Sequence, residues 1–271
     1  MDTKRMYDYG FGTAWKTVHV EKREGYYTSV TDFHEHDFYE INLILSGNVK
    51  ILLKDSFEMG GENKVVLTSP NTPHYILCQS DTLYSRLYVL FTDEFIANCF
   101  PEWKQLAHVF GQSGNILTIN KEETIFLQRL IEQIKAEKDL FGQRLLIYYL
   151  LLRLNTYAGT TAEKQEMPSY IFDALMYLEK HYHENIDFSL LVKKLCVGRT
   201  KLMTEFKLHT GTTLGEYLCK CRLKNAVQYL LQNQTIEFTA EKCGFSDSSS
   251  LIRAFKRVYG TTPHRYVKNL F

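Results

Sequence analysis

No apolar run in this chain is long enough to cross a bilayer. The strongest, Leu145–Leu152, is bounded by Arg144 and Arg153. The first residues, Met1–Gly12, carry charges and lack the apolar block of a secretion signal, which points to the cytoplasm and away from a membrane. Cysteine is sparse and follows no pairing pattern. Cys78, Cys99, Cys196, Cys219, Cys221 and Cys243 are scattered, mostly inside apolar patterns, so reduced thiols are expected rather than disulfides or zinc. Cys219 and Cys221 stand two apart on an expected helix and so point to different faces. What remains is a chain of 271 residues, long enough for two domains that each bury a core.

Charge is uneven. Pro168–Phe271 holds 15 Lys+Arg against 9 Asp+Glu, a net of +6, and the remainder is −5, which makes the +1 of the whole. A basic end joined to an acidic end suggests that one meets a polyanion while the other does something else.

The basic end contains a repeat. Leu202, Phe206-Lys207, Gly211-Thr212-Thr213 and Tyr217 return 49 positions later as Leu251, Phe255-Lys256, Gly260-Thr261-Thr262 and Tyr266. Each copy reads as a helix with an apolar stripe, stopped by glycine and followed by a helix opened at threonine. Thr213 and Glu216 have capping-box spacing, and Pro263 suits a first helical position. A helix before each copy completes a helix-turn-helix. In the first, Asp187 or Ser189 opens a helix with Leu190, Leu191 and Leu195 inward, and Cys196-Val197-Gly198 turns. In the second, Ile236 and Ala240 pack, Gly244-Phe245 turns, and Ser246 or Asp247 caps. With Leu202, Phe206, Leu251 and Phe255 inward, the outward residues are Arg199, Thr200, Lys201, Met203, Thr204 and Lys207 in one unit. In the other they are Ser248, Ser249, Ser250, Ile252, Arg253, Lys256 and Arg257. Reading helices use early residues on bases and later basic ones on phosphates. Arg253 is the strongest base-reading candidate, because arginine can grip guanine O6 and N7 with two bonds.

The segment from Ala240 through Gly244-Phe245, Arg253-Ala-Phe255-Lys256 and Gly260-Thr-Thr-Pro263 resembles the signature of the arabinose-regulator (AraC/XylS) family of bacterial transcription factors. The resemblance covers about Pro168–Phe271. It implies seven helices, a long central one over about Leu214–Leu231, and two readers presented to successive major grooves of promoter DNA. The chain departs from the family pattern at Thr239, at Ser250-Leu251 and at Gly198, where a capping serine is usual. Thr239 needs a carbonyl for its hydroxyl.

Nearer the start, Tyr39–Leu45, Val49–Leu53, Val65–Thr68 and Leu83–Phe91 alternate like strands, with Ser46-Gly47-Asn48 as a tight turn, which suggests a sandwich or barrel. Asp93–Phe110 is helical or irregular. Lys121–Lys138 aligns Ile125, Leu127, Leu130, Ile131 and Ile134 on a helix. Gln143–Leu154 is so apolar that it must be buried all round, against the barrel or a second subunit. Polar, aperiodic residues from Asn155 to Met167 read as a linker.

His34, His36, Glu40 and Asn42 share one parity and can point to one side of a strand. The run His34, His36, Glu40, Gly47 resembles the first motif of the cupin barrels, and Pro70-Asn-Thr-Pro73-His74 resembles the second, a set able to hold a metal. In the arabinose-regulator family a similar His-x-His-x-Phe-Tyr-Glu run usually lacks metal, so hydrogen bonding to a small polar effector is the expected role, with no metal and no cofactor. Tyr88, with Trp15, Phe38 and Tyr84, can cover such a ligand or belong to the core.

These readings give an α+β multidomain chain: a cupin-like β-barrel sensor over 1–115, a helical dimerisation hairpin over 116–158, a linker over 159–167 and an all-α double helix-turn-helix domain over 168–271. The expected function is not enzymatic. It is sequence-specific transcription regulation, by resemblance activation through RNA polymerase, by a cytoplasmic homodimer answering a small effector such as a sugar. The competing reading is a cupin metalloenzyme or metal-responsive sensor fused to a DNA-binding module.

Overall fold

The computed structural model describes residues 18–25, 35–53, 56–78, 83–159 and 165–268. His34 and Trp15 lie outside the described residues. The chain divides between Glu166 and Met167 into two compact units.

In the first unit the strands are β1 (His19–Gly25), β2 (Tyr39–Ser46), β3 (Val49–Leu53), β4 (Ser56–Gly60), β5 (Lys64–Thr68), β6 (His74–Cys78) and β7 (Tyr84–Phe91). After α1 (Asp93–Ala97) and two short 3-10 turns come β8 (Asn115–Thr118), α2 (Lys121–Ala136), α3 (Leu140–Asn155) and β9 (Gln165–Glu166). They pair antiparallel into two sheets, ordered β1-β7-β2-β5-β8 and β6-β3-β4-β9. Gln165–Glu166, inside the expected linker, thus extend the second sheet beside β4.

Alternation along β2 separates two environments. Tyr39, Ile41 and Leu43 face a core shared with α2, α3 and Trp103. Ile44, Val66, Tyr84 and Ile116 of the first sheet face Val49, Ile51, Leu53 and Ile76 of the second, so the sheets pack face to face. The intervening β2 positions, Glu40 and Asn42, therefore point between the sheets.

α3 is not buried all round within one chain. Ile147, Leu150, Leu151 and Leu154 pack inward, while Leu145, Tyr149 and Leu152 are each more than two-fifths exposed. Of the apolar residues aligned on α2, Ile125 is 45% exposed, and its neighbour Phe126 meets Tyr149 edge-on at 6.1 Å. The sheet offers a helix only one face, so the uniform apolarity of α3 leaves a second apolar face outside.

In the second unit seven helices follow: α4 (Ser169–His181), α5 (Phe188–Lys194), α6 (Arg199–Thr210), α7 (Leu214–Leu231), α8 (Ile236–Lys242), α9 (Ser248–Tyr259) and α10 (Pro263–Lys268). The repeat is visible atom by atom. Gly211 and Gly260 stop α6 and α9 at φ 72° and 69°, each donating its N–H to the carbonyl of Lys207 or Lys256 at 2.9 Å. Phe206 meets Tyr217 edge-on at 5.7 Å, and their counterparts Phe255 and Tyr266 meet at 5.3 Å. Thr213 and Glu216 form the expected capping box at the start of α7. Two expectations fail. Leu190 is 62% exposed, because its neighbour Leu191 takes the single inward position that seven-residue α5 can offer there. Thr239 is fully buried, and its hydroxyl finds no partner among the described residues.

Candidate effector site and nucleic-acid interface

The interior of the sandwich is polar at one end. The strand register places Asn42 opposite Tyr88, Tyr88 opposite Glu21, and Glu40 opposite Thr68. His74 enters from the facing sheet, paired in register with Leu53 of the interior core. His36, just before β2, stacks on Phe38 at 3.9 Å and lies 5.0 Å from the His74 ring.

These groups form one network. Nε2 of His36 lies 2.8 Å, and Nε2 of His74 3.1 Å, from the same oxygen of Glu40. Asn42 donates to the other Glu40 oxygen at 2.7 Å and accepts from Arg86 at 3.1 Å. The Tyr88 hydroxyl donates to Glu21. The guanidinium carbons of Arg23 and Arg86 stand 5.0 and 5.2 Å from the Tyr88 ring centre. Burial alone would raise the Glu40 carboxyl, but the imidazoles of His36 and His74 outweigh it and hold it well below the usual carboxylate range. Burial also acts on Glu21, where the Tyr88 hydroxyl and Arg23 prevail in the same direction.

His36, Glu40, Asn42, His74 and Tyr88, named from sequence, thus share one interior. Phe38 backs His36, whereas Tyr84 belongs to the apolar end. Glu21, Arg23, Thr68 and Arg86 were missed. Strand parity would have found Arg86, two before Tyr88, but the pairing of β1 with β7 is not written in either segment. The cluster offers carboxylates, guanidinium groups, an amide and imidazoles, suited to a ligand rich in hydroxyl or charged oxygens.

On the helical unit, α6 presents Arg199, Thr200, Lys201, Thr204 and Lys207 to solvent, with Met203 half-buried. Met203, Thr204, Lys207 and exposed Leu208 line one side of a shallow groove. Lys201 sits 5.5 Å over the Tyr170 ring. Gly198 gives α6 no side-chain cap. On α9, Ser249, Arg253, Lys256 and Arg257 are exposed, and Ser248 and Ser250 half-buried. Asp247 caps α9 by accepting from the Ser250 N–H at 2.7 Å. Ser250 also accepts from Arg253 at 3.1 Å, and Arg257 reaches Cys219 Sγ at 3.4 Å. All thirteen residues expected to face outward therefore lie on α6 or α9, but Ser250 is engaged in capping.

A brace missed from sequence joins the two helix-turn-helix units. Arg222 of α7 donates to the carbonyls of Tyr182 and Glu184, both at 2.8 Å, fixing the loop after α4. The turn at Gly244, φ 75°, rests on that same loop. A long basic side chain on an amphipathic helix carries no sequence signal for such a role.

The comparisons agree with this two-part layout. Residues 20–155 match the family model described as AraC-like ligand binding domain, and residues 191–269 match one described as helix-turn-helix domain. The chain is similar to the HTH-type transcriptional activator RhaS of Pectobacterium atrosepticum, at 27% identity over 91% of this chain and 90% of that one. It is 24% identical to the probable transcriptional regulator LumQ of Photobacterium leiognathi, over 86% of this chain and 91% of the relative. Among solved structures, an apo ToxT variant from Vibrio cholerae aligns over 96% of this chain and 99% of its own, at 14% identity and TM-score 0.43.

Proposed function

Because the chain belongs to the AraC family, and is an effector-responsive, DNA-binding transcription regulator, we propose how its parts divide that work. The observation that carries the proposal is the duplicated, cross-braced pair of exposed reading helices α6 and α9. These helices enter successive major grooves on one face of promoter DNA. Arg199, Thr200, Lys201, Met203, Thr204 and Lys207 of α6 face one groove, and Ser248, Ser249, Arg253, Lys256 and Arg257 of α9 the other. Arg253 reads a base, and the remaining cations contact phosphates. Ser250 serves the α9 cap and orients Arg253.

The sensor occupies about 1–115. His36, Glu40, Asn42, His74 and Tyr88, with Glu21 and Arg86, bind a small oxygen-rich effector such as a sugar, and no catalysis is assigned to them. The outer apolar face of α2 and α3, within 116–158, joins two chains into a dimer through Phe126, Leu145, Tyr149 and Leu152. Exposure of that face in the single chain supports the reading, because these leucines and aromatics otherwise stay in water. The segment 159–167, of which Gln165–Glu166 pair with β4, leads from this body to the reader at 168–271. By analogy with a relative named as an activator, the bound dimer recruits RNA polymerase in the cytoplasm.

The test is a genome-wide footprint of the full chain at stated salt, since phosphate contacts make affinity salt-dependent. Paired discrete sites upstream of genes, each covering two major-groove turns, are expected. Diffuse occupancy with and without candidate sugars would sink the reading.

A further inference from the structure

We propose that α6 selects T·A base pairs through the C5-methyl group of thymine, which Met203 and Thr204 receive in the shallow groove beside them. This rests on the reading that α6 enters a major groove, and it names the base chosen there.

The internal repeat allows the two reading helices to be compared position by position. α6 and α9 each run for 12 residues and end at Gly211 and Gly260, so each residue of one has a counterpart 49 positions along in the other. Exposure agrees along the outward ridge. Met203 and Ile252 are half-buried, whereas Thr204 and Arg253, Lys207 and Lys256, and Leu208 and Arg257 are exposed. The chemistry parts at two places. Where α9 carries Arg253, α6 carries Thr204, and where α9 carries Arg257, α6 carries Leu208. Arginine can grip guanine O6 and N7 with two bonds. Threonine offers one hydroxyl and one methyl, and cannot grip two acceptors. Arg199 corresponds to Ser248, and Lys201 lies over the Tyr170 ring at 5.5 Å, so neither takes the place that Arg253 has on α9.

The surroundings of Thr204 decide which of its two groups reads. Met203, Thr204, Lys207, Leu208 and Thr213 line one groove. Leu208 is 66% exposed, a large apolar side chain held in water next to the cation Lys207. Lys207 stands in the groove wall and the helical half carries a net +6, so the partner that this charge fits is a polyanion. In the major groove DNA presents hydrogen-bonding edges and a single apolar group, the thymine methyl. A cleft of methionine, leucine and threonine methyls with a lysine in its wall therefore matches a thymine beside its phosphate. Methionine is unbranched and polarisable, which suits it to close on that methyl.

Deoxyuridine lacks the methyl and keeps the hydrogen-bonding atoms of thymidine, so it isolates the contact. Full-length protein, with and without candidate sugars, selects its site from a randomised duplex. Each thymine of the recovered site is then replaced in turn by deoxyuridine. At one or more positions the replacement should weaken binding about 4-fold, the worth of one buried methyl. Thr204→Ser, which keeps the hydroxyl, and Met203→Ala should each bind the thymine site more weakly and lose most of that discrimination at one of these positions. Circular dichroism keeps the comparison to folded variants. Indifference to deoxyuridine at every thymine, or a full penalty at each sensitive position in either variant, would overturn the inference while leaving the double reader intact. Failure to enrich any sequence would instead remove the DNA reading beneath it.

Discussion

In the second reading unit the turn is a glycine, Gly244 at φ 75°, seated against the carbonyls of Tyr182 and His183. In the first it is Cys196, exposed, at φ 51°. The second reading helix opens at Asp247, which accepts from the Ser250 N–H, whereas the first opens at Gly198 with no side chain to cap it. The two units share their apolar pattern and differ in what holds their entrances. That difference teaches where rigidity is placed. α9 is fixed at both turn and cap, with Arg253 donating to the capping serine, which suits the base-reading role proposed for it. α6 has no side-chain cap at its start, which suits the phosphate contacts proposed for its cations.

The sharpest way to break this contrast is to add one methyl group to each unit. At Gly244 a Cβ would stand 2.7 Å from the His183 carbonyl oxygen and 2.9 Å from that of Tyr182, on backbone at positive φ. Gly244→Ala should cost about 2–4 kcal/mol, from left-handed strain plus forced displacement. At Gly198 nothing lies within 4 Å of an added Cβ, and φ is −65°. Gly198→Ala should cost only about 0.5–1 kcal/mol, the loss of a fair cap. Urea unfolding followed by the helical signal measures both. Equal losses would show that the loop after α4 does not brace the second unit.

DNA binding sharpens the contrast next. Arg253→Ala should cost about 1–3 kcal/mol on the cognate site and relax preference at one base pair. Lys207→Ala, on the first helix, should weaken binding similarly for all sequences and lower the salt slope by about one. Titrations against a panel of single-base operator variants at two salt concentrations separate these outcomes. A uniform loss for Arg253→Ala would make it a phosphate clamp, and the claimed division of labour would go with it.

Much of this was legible in the sequence for a physical reason. Helix caps and stops are local, so Gly211, Gly260, the Thr213–Glu216 box and the limits of α7 follow from neighbouring residues. So does the parity that sends Glu40 and Asn42 to one face. Contacts between distant segments were not legible. Glu21 joins the interior only through the register of β1 on β7, and Arg222 becomes a brace only once the loop after α4 is folded beneath it. How α3 divides its apolar surface between its own sheet and the outside was not legible, because apolarity states how much surface wants covering, not how much one sheet can cover. His34 lies outside the described residues, so its membership of the cluster rests on spacing alone.

The smallest effect lies in the caps. Gly198→Ser should stabilise by a few tenths of a kcal/mol, because glycine is already a fair cap and serine adds only one hydrogen bond to a free N–H. The second unit tests the same term by acid. The Ser250 N–H, with the hydroxyls of Ser246 and Ser250, holds the Asp247 carboxyl below its ordinary value of 3.8. A carboxyl lowered in the folded state contributes fully above its unfolded value and loses that contribution as pH falls through the folded one. Thermal unfolding of the parent should therefore exceed that of Asp247→Ala at pH 7, with the gap closing below about pH 3.8. Gly198→Ser should keep its small gain across the same range, since a serine hydroxyl does not titrate there. A gap at Asp247 that persists unchanged in acid would mean that the side chain acts by shape, and the electrostatic half of the contrast between the two entrances would fall.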